Sequence, residues 1–114
     1  MMATQQVLLT TTMVATGTLQ QQHLVGYDGA PCTKGALAFG IAEVDAVAGD
    51  ATPVNVAGIL AAVAGAAITA GQPLQSDENG CVIPLEATGS PVRVGVAVTA
   101  AAAAGASLKV MWGA

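Results

Sequence analysis

The chain offers few groups with which to do chemistry. It has one histidine, His23, two cysteines, Cys32 and Cys81, and seven acidic residues. Any Ser-His-Asp or Cys-His arrangement would have to be built on His23, which stands between Gln22 and Leu24 with no motif around it. No GxSxG elbow is present, and Cys32 falls in a Gly- and Pro-containing loop without an activating signature. Two cysteines and one histidine at wide spacing make no zinc signature. Residues 77–80, DENG, share a few residue types with a calcium loop but lack its repeated acidic ligands and distal glutamate, so they read as a solvated turn. Asp45 and Asp50 flank another turn and read the same way. Phosphate cradles of the GxxxxGK[ST] or strand-GxGxxG type are missing too. The sequence thus predicts no enzyme, no metal and no cofactor.

Charge narrows the partners. The net charge is -4, and Lys34, Arg93 and Lys109 are the fixed cations. Nucleic-acid binding needs clustered Lys and Arg to neutralise phosphates, and adhesion to anionic membrane needs the same, so neither is expected. Tyr27, Phe39 and Trp112 stand apart in the sequence, with no basic neighbour beyond Lys109. They offer no stacking platform for single strands, and they are too few for a carbohydrate- or peptide-binding face. Trp112 reads as a cap on a core or an interface. Charged residues are 9% of the chain, against about 25% in ordinary soluble domains. Such a chain gains by hiding surface against partners, which favours obligate assembly.

The elements that would carry these residues are short strands. From Gly26 onward glycines recur too often for ordinary helices, since each interior glycine costs about 1 kcal/mol relative to alanine. The Ala-rich stretch 56–68, VAGILAAVAGAAI, is therefore read as extended; it is also shorter than the roughly 18–20 apolar residues a membrane span needs. The chain is organised around residues 40–58, where GIAEV and ATPVNVAG form a hairpin about the turn DAVAGD. A looser copy lies at residues 95–113: Gly40 matches Gly95, Gly49 matches Gly105 and Val54 matches Val110, so one supersecondary unit used twice is the simplest reading. PLQSD and CVIPL form a second hairpin about Asn79-Gly80, and SLKVMWG closes the chain with Leu108 and Val110 on one face. Residues 1–20 are either an extended arm or an ordinary first strand, and residues 21–114 one β-rich domain. The N-terminus shows no basic n-region and no unbroken apolar h-region. The cysteines accordingly read as a reduced cytosolic pair, with one disulfide as the alternative.

Taken in order, MATQQVLLTTT, FGIAEVDAVAGDATPVNVAG, AGAAITAGQPLQSDENGCVIP and VGVAVTAAAAAGASLKVMW resemble the capsid decoration, or cement, proteins of tailed bacteriophages across nearly the whole chain. The resemblance implies a mainly β, compact barrel- or sandwich-like (β-tulip-type) domain with an extended N-terminal arm. It implies a structural virion protein on the outer surface of the head, made in the host cytoplasm, that locks major capsid subunits together. It also implies a homo-oligomer, with a trimer favoured and a dimer the alternative. The arm, with Val7, Leu8, Leu9, Thr10, Thr11 and Thr12, is the expected contact, together with Trp112. An extended Thr/Val/Leu segment can add a strand to a neighbour's sheet edge. Removing residues 1–12 is expected to abolish binding and leave the domain folded.

Overall fold

The computed structural model describes residues 5–113. Within them the chain is all-β: β1 (Gln6–Val14), β2 (Leu24–Gly26), β3 (Ala38–Ala42), β4 (Ala51–Val63), β5 (Pro73–Ser76), β6 (Val82–Pro84), β7 (Gly95–Ala97) and β8 (Ser107–Trp112). All eight strands form one sheet in the order β2-β3-β4-β8-β7-β5-β6, with β1 paired to β4, and the sheet curls into a nearly closed barrel. The radius of gyration, 12.5 Å, is close to the ~13 Å expected of a compact domain of about 100 residues.

The local reasons are those of the sequence. β3 and β4 pair antiparallel across the turn of residues 43–50, with Ile41 opposite Asn55 and Ala42 opposite Val54. β5 and β6 pair across the Asn79-Gly80 turn, where Gly80 has a φ of 79°. In β8, Leu108 and Val110 are buried while Met111 is exposed, the period-two pattern of a half-covered strand. The alanine run from Ala100 to Ala104 does not coil: Ala101 bridges Ile68, and Ala102 to Ala104 bend and turn the chain toward Gly105. The main core joins Leu24, Ile41, Leu60, Leu74, Val82, Leu108 and Val110, padded by buried alanines; a smaller cluster forms around Leu19, Val25 and Val54.

The repeat is real and reaches further than the two hairpins. Leu19 bridges Ala46 as Ile68 bridges Ala101. Val25 lies opposite Gly40 and Pro31, as Leu74 lies opposite Gly95 and Pro84. The amides of Gln22 and Gly71 donate to the carbonyls of Ala42 and Ala97, and those of Ala42 and Ala97 donate back to His23 and Gln72. Gly49 and Gly105, at the two hairpin tips, have φ values of 95° and 89°. Met13 opposite Thr52 in β1 and β4 corresponds to Ala62 opposite Leu108 in β4 and β8. The 13-residue β4 therefore serves twice: its first half ends the first unit, as β8 ends the second, and its second half opens the second unit, as β1 opens the first. The match explains one strained residue. Gln22 has a φ of 65° because its place is that of Gly71, at 88°.

β1 is a first strand of the sheet, paired with β4 from Gln6 opposite Ile59 to Val14 opposite Ala51. Residues 1–4 of the expected arm lie outside the described residues. Removing residues 1–12 would strip β4 of most of a partner strand, so a truncated domain that keeps its fold is no longer the expectation.

Candidate functional site

Two surfaces stand out, and both are built by the middle strand. The first is β1. Its pairing with β4 is interrupted between Val7 and Thr10, where a bulge at Leu8 and Leu9 faces Ala57 and Gly58. Gly58 has a φ of 115°, and a Cβ there would lie 2.8 Å from the Leu8 amide, so only glycine lets the bulge sit so close. The irregularity turns two adjacent leucines outward: Leu8 is 82% exposed and Leu9 56%. Beyond it, the Thr10 hydroxyl donates to Asn55 Oδ1 at 2.7 Å, which fastens the strand to a buried asparagine.

The second unit shows what β1 lacks. There the segment matched to β1 has Leu60, Ala61 and Ala62 fully buried, and the outward amide of Ala61 donates to Gln5 Oε1 at 2.9 Å. In β1 the corresponding Thr11 and Met13 are half-buried and Thr12 is exposed. The alternation that turns the Ala61 amide away from β8 turns the Thr12 amide away from β4. Among the described residues no strand pairs with that outer edge, although the loop at Gly29 closes its far end by accepting from the Thr16 amide at 3.0 Å.

The second surface is a groove of about 390 Å³ lined by Tyr27, Leu37, Phe39, Val56, Arg93 and Trp112, among others. Tyr27 meets Phe39 edge to face, with ring centroids 5.1 Å apart. This corrects the sequence reading of three isolated aromatic residues with only Lys109 nearby: the fold brings all of them together beside Arg93. Trp112 does cap the core, since it is half-buried against the main cluster. It lies across β4 from β1; Ile59 of β4 pairs with Gln6 on one side and with Met111, the neighbour of Trp112, on the other.

The other residues considered for chemistry serve the backbone. Asp77 Oδ1 accepts from the amides of Asn79 and Cys81 at 2.8 and 2.9 Å, Asp50 Oδ2 from Val47 at 3.1 Å and Asp45 Oδ1 from Gln21 at 2.7 Å. His23 Nδ1 lies 3.0 Å from the Gln21 carbonyl on the wall of an open groove shared with Glu78 and Cys81. No group of three or more potential metal ligands occurs among the described residues. Both cysteines are free thiols, and burial pushes both thiols above their ordinary value, with Asp28 adding to the effect at Cys32 and Asp77 at Cys81. Gln75, which no motif marked, is fully buried and structural: its Oε1 accepts from the Glu86 amide at 2.7 Å.

The fold thus presents two distinctive surfaces, an outer edge of β1 that no strand covers among the described residues and a largely apolar groove, while Asp45, Asp50 and Asp77 accept from backbone amides. The chain belongs to the phage cement protein family, whose model matches residues 2–112. That membership makes it a structural, head-associated protein of the virion. Its fold is that of a solved structure, the head fiber gp8.5 N base of bacteriophage phi29, with a TM-score of 0.72 and 23% identity over 91% of this chain and 92% of that one. No curated protein matches the chain.

Proposed function

We propose that this protein cements the outside of the phage head. It binds the outer surface, bridges neighbouring major capsid subunits and holds them against the pressure of packaged DNA. It acts as a homo-oligomer, a trimer before a dimer, and it catalyses nothing. The family match over residues 2–112 carries the role. β1 supports the contact: its outer edge offers main-chain groups, and the bulge offers Leu8 and Leu9 as apolar anchors. Many copies on one shell act together, so modest affinity per copy suffices.

The test is co-sedimentation with undecorated heads, followed by heating of the decorated and bare particles. Binding that raises the rupture temperature supports the reading; a protein that stays in the supernatant overturns it. Light scattering on the free protein checks the oligomer. The fold shared with a head-fibre base favours one alternative, another component of the head, which negative-stain images of labelled virions would separate from a cement.

A further inference from the structure

The chain has two asparagines, and the fold treats them oppositely. Asn55 lies in β4, is 1% exposed, has its Oδ1 held by the Thr10 hydroxyl and is followed by the β-branched Val56. Asn79 is exposed in the β5–β6 turn and is followed by Gly80. In an Asn-Gly pair no Cβ shields the following peptide nitrogen, so that nitrogen can reach the side-chain carbonyl carbon. Asparagine counts among the thermolabile residues.

The hydrogen bonds of the turn leave the reacting groups loose. Asp77 Oδ1 accepts from the Asn79 amide at 2.8 Å, but the Gly80 amide lies 3.4 Å from the Asp77 carbonyl, outside the roughly 2.7–3.2 Å of a good N–H···O bond. Among the described residues nothing hydrogen-bonds the side-chain amide of Asn79. Asn79 and Glu78 line the open groove beside His23, about 570 Å³ in volume, which admits water.

Gly80 is also a fastening point. Its carbonyl accepts at 2.7 Å from the amide of Leu24, a fully buried core residue, and a Cβ on Gly80 would lie 2.9 Å from the Leu24 carbonyl. That bond ties the second unit's turn to β2 of the first.

We propose that Asn79 is a site of spontaneous deamidation and isomerisation. The Gly80 nitrogen attacks Asn79 Cγ. The new C–N bond closes a succinimide, and the side-chain amide leaves as ammonia with the proton from Gly80. Water then opens the ring. Addition at Cγ gives aspartate; addition at the main-chain carbonyl gives isoaspartate, whose extra methylene enters the backbone beside Gly80. Either product adds one negative charge to a chain of net charge -4. Isoaspartate also displaces Gly80 from Leu24 and loosens the join between the two units. A virion does not renew its proteins, so the change accumulates with age. No partner takes part, so the reaction is indifferent to whether the chain cements the head.

The full chain is held folded in warm, mildly alkaline buffer and mapped by mass spectrometry, beside the same chain in urea and beside Asn79→Gln. In the folded protein Asn79 should lose its amide while Asn55 keeps it, with aspartyl and isoaspartyl peptides resolved by chromatography. Asn79→Gln should stay intact, because a longer side chain must close a larger ring. In the isoaspartyl protein the Leu24 amide should exchange with solvent about tenfold or more faster than in fresh protein. An Asn79 amide that survives in the folded protein overturns the site; its loss in urea alone shows that the turn protects it. Aspartate without isoaspartate overturns the ring closure, and equal loss at Asn55 overturns the selectivity. Unchanged exchange at Leu24 after isomerisation overturns the loosening.

Discussion

Thr52 in β4 occupies the place that Leu108 holds in β8, opposite Met13 as Leu108 is opposite Ala62, and both side chains are buried. The difference is a hydroxyl. Thr52 Oγ1 is buried with no hydrogen-bond partner, an uncompensated desolvation cost. Thr52→Val keeps the shape and removes the polar atom, and the matched leucine shows that the position accepts an apolar side chain. The expected gain is about 1 kcal/mol in urea unfolding.

Gly40 and Gly95 are a second matched pair. A Cβ on Gly40 would lie 2.7 Å from Val54 Cγ1 and against the Asn55 carbonyl; on Gly95 it would lie 2.8 Å from Val110 Cγ1 and against the Met111 carbonyl. Backbone cannot yield as a flexible side chain can, so Gly40→Ala and Gly95→Ala should each cost about 3 kcal/mol. Gly49→Ala at the hairpin tip meets nothing within 4 Å and has only its φ of 95° against it. It should cost about 1–2 kcal/mol, and melts of the three variants rank the two mechanisms.

The edge of β1 can be tested with proline. Thr12→Pro removes an amide that faces away from β4, so the fold should lose little, while any strand added there loses a hydrogen bond. Met13→Pro removes an amide that faces β4, and so a ladder hydrogen bond, and should destabilise the fold clearly more than Thr12→Pro. Leu8→Asp, at a site 82% exposed, should change stability by under about 0.5 kcal/mol. On the cement reading, Thr12→Pro and Leu8→Asp both bind heads more weakly than the wild type, as co-sedimentation would show.

Cys32 couples stability to alkaline pH. Burial, more than the nearby Asp28 charge, raises its thiol above the ordinary value of 9.0. The unfolded thiol therefore loses its proton first. The contribution to stability is complete below the unfolded pKa and is lost as pH rises through the folded one. Unfolding free energy should fall above about pH 9, and Cys32→Ala should fall less steeply over the same range. At neutral pH the buried thiol should react slowly with iodoacetamide in the folded protein and at an ordinary rate in urea.

Much of this could be read from residue order alone. The glycine rhythm excluded long helices, Asn79-Gly80 marked its hairpin, and the period of two in SLKVMW set the faces of β8. Gly40 and Gly95 betrayed the repeat because close backbone approach leaves only glycine as a solution. Those are local constraints, written within a few residues. The rest needed the fold. Whether residues 6–14 were an arm or a strand depended on β4, some 40 residues away, because an extended Thr/Val/Leu segment is competent to pair with any open edge. The extent of the repeat was hidden because hydrogen-bond partners, more than side chains, are shared between the units. The aromatic groove was hidden for a related reason: the pairing of β2 with β3 sets Tyr27 beside Phe39, and the pairing of β8 with β4, some 70 residues further on, brings Trp112 to the same groove. Sequence fixes what each segment can become; which segments meet is decided by the packing of the whole chain.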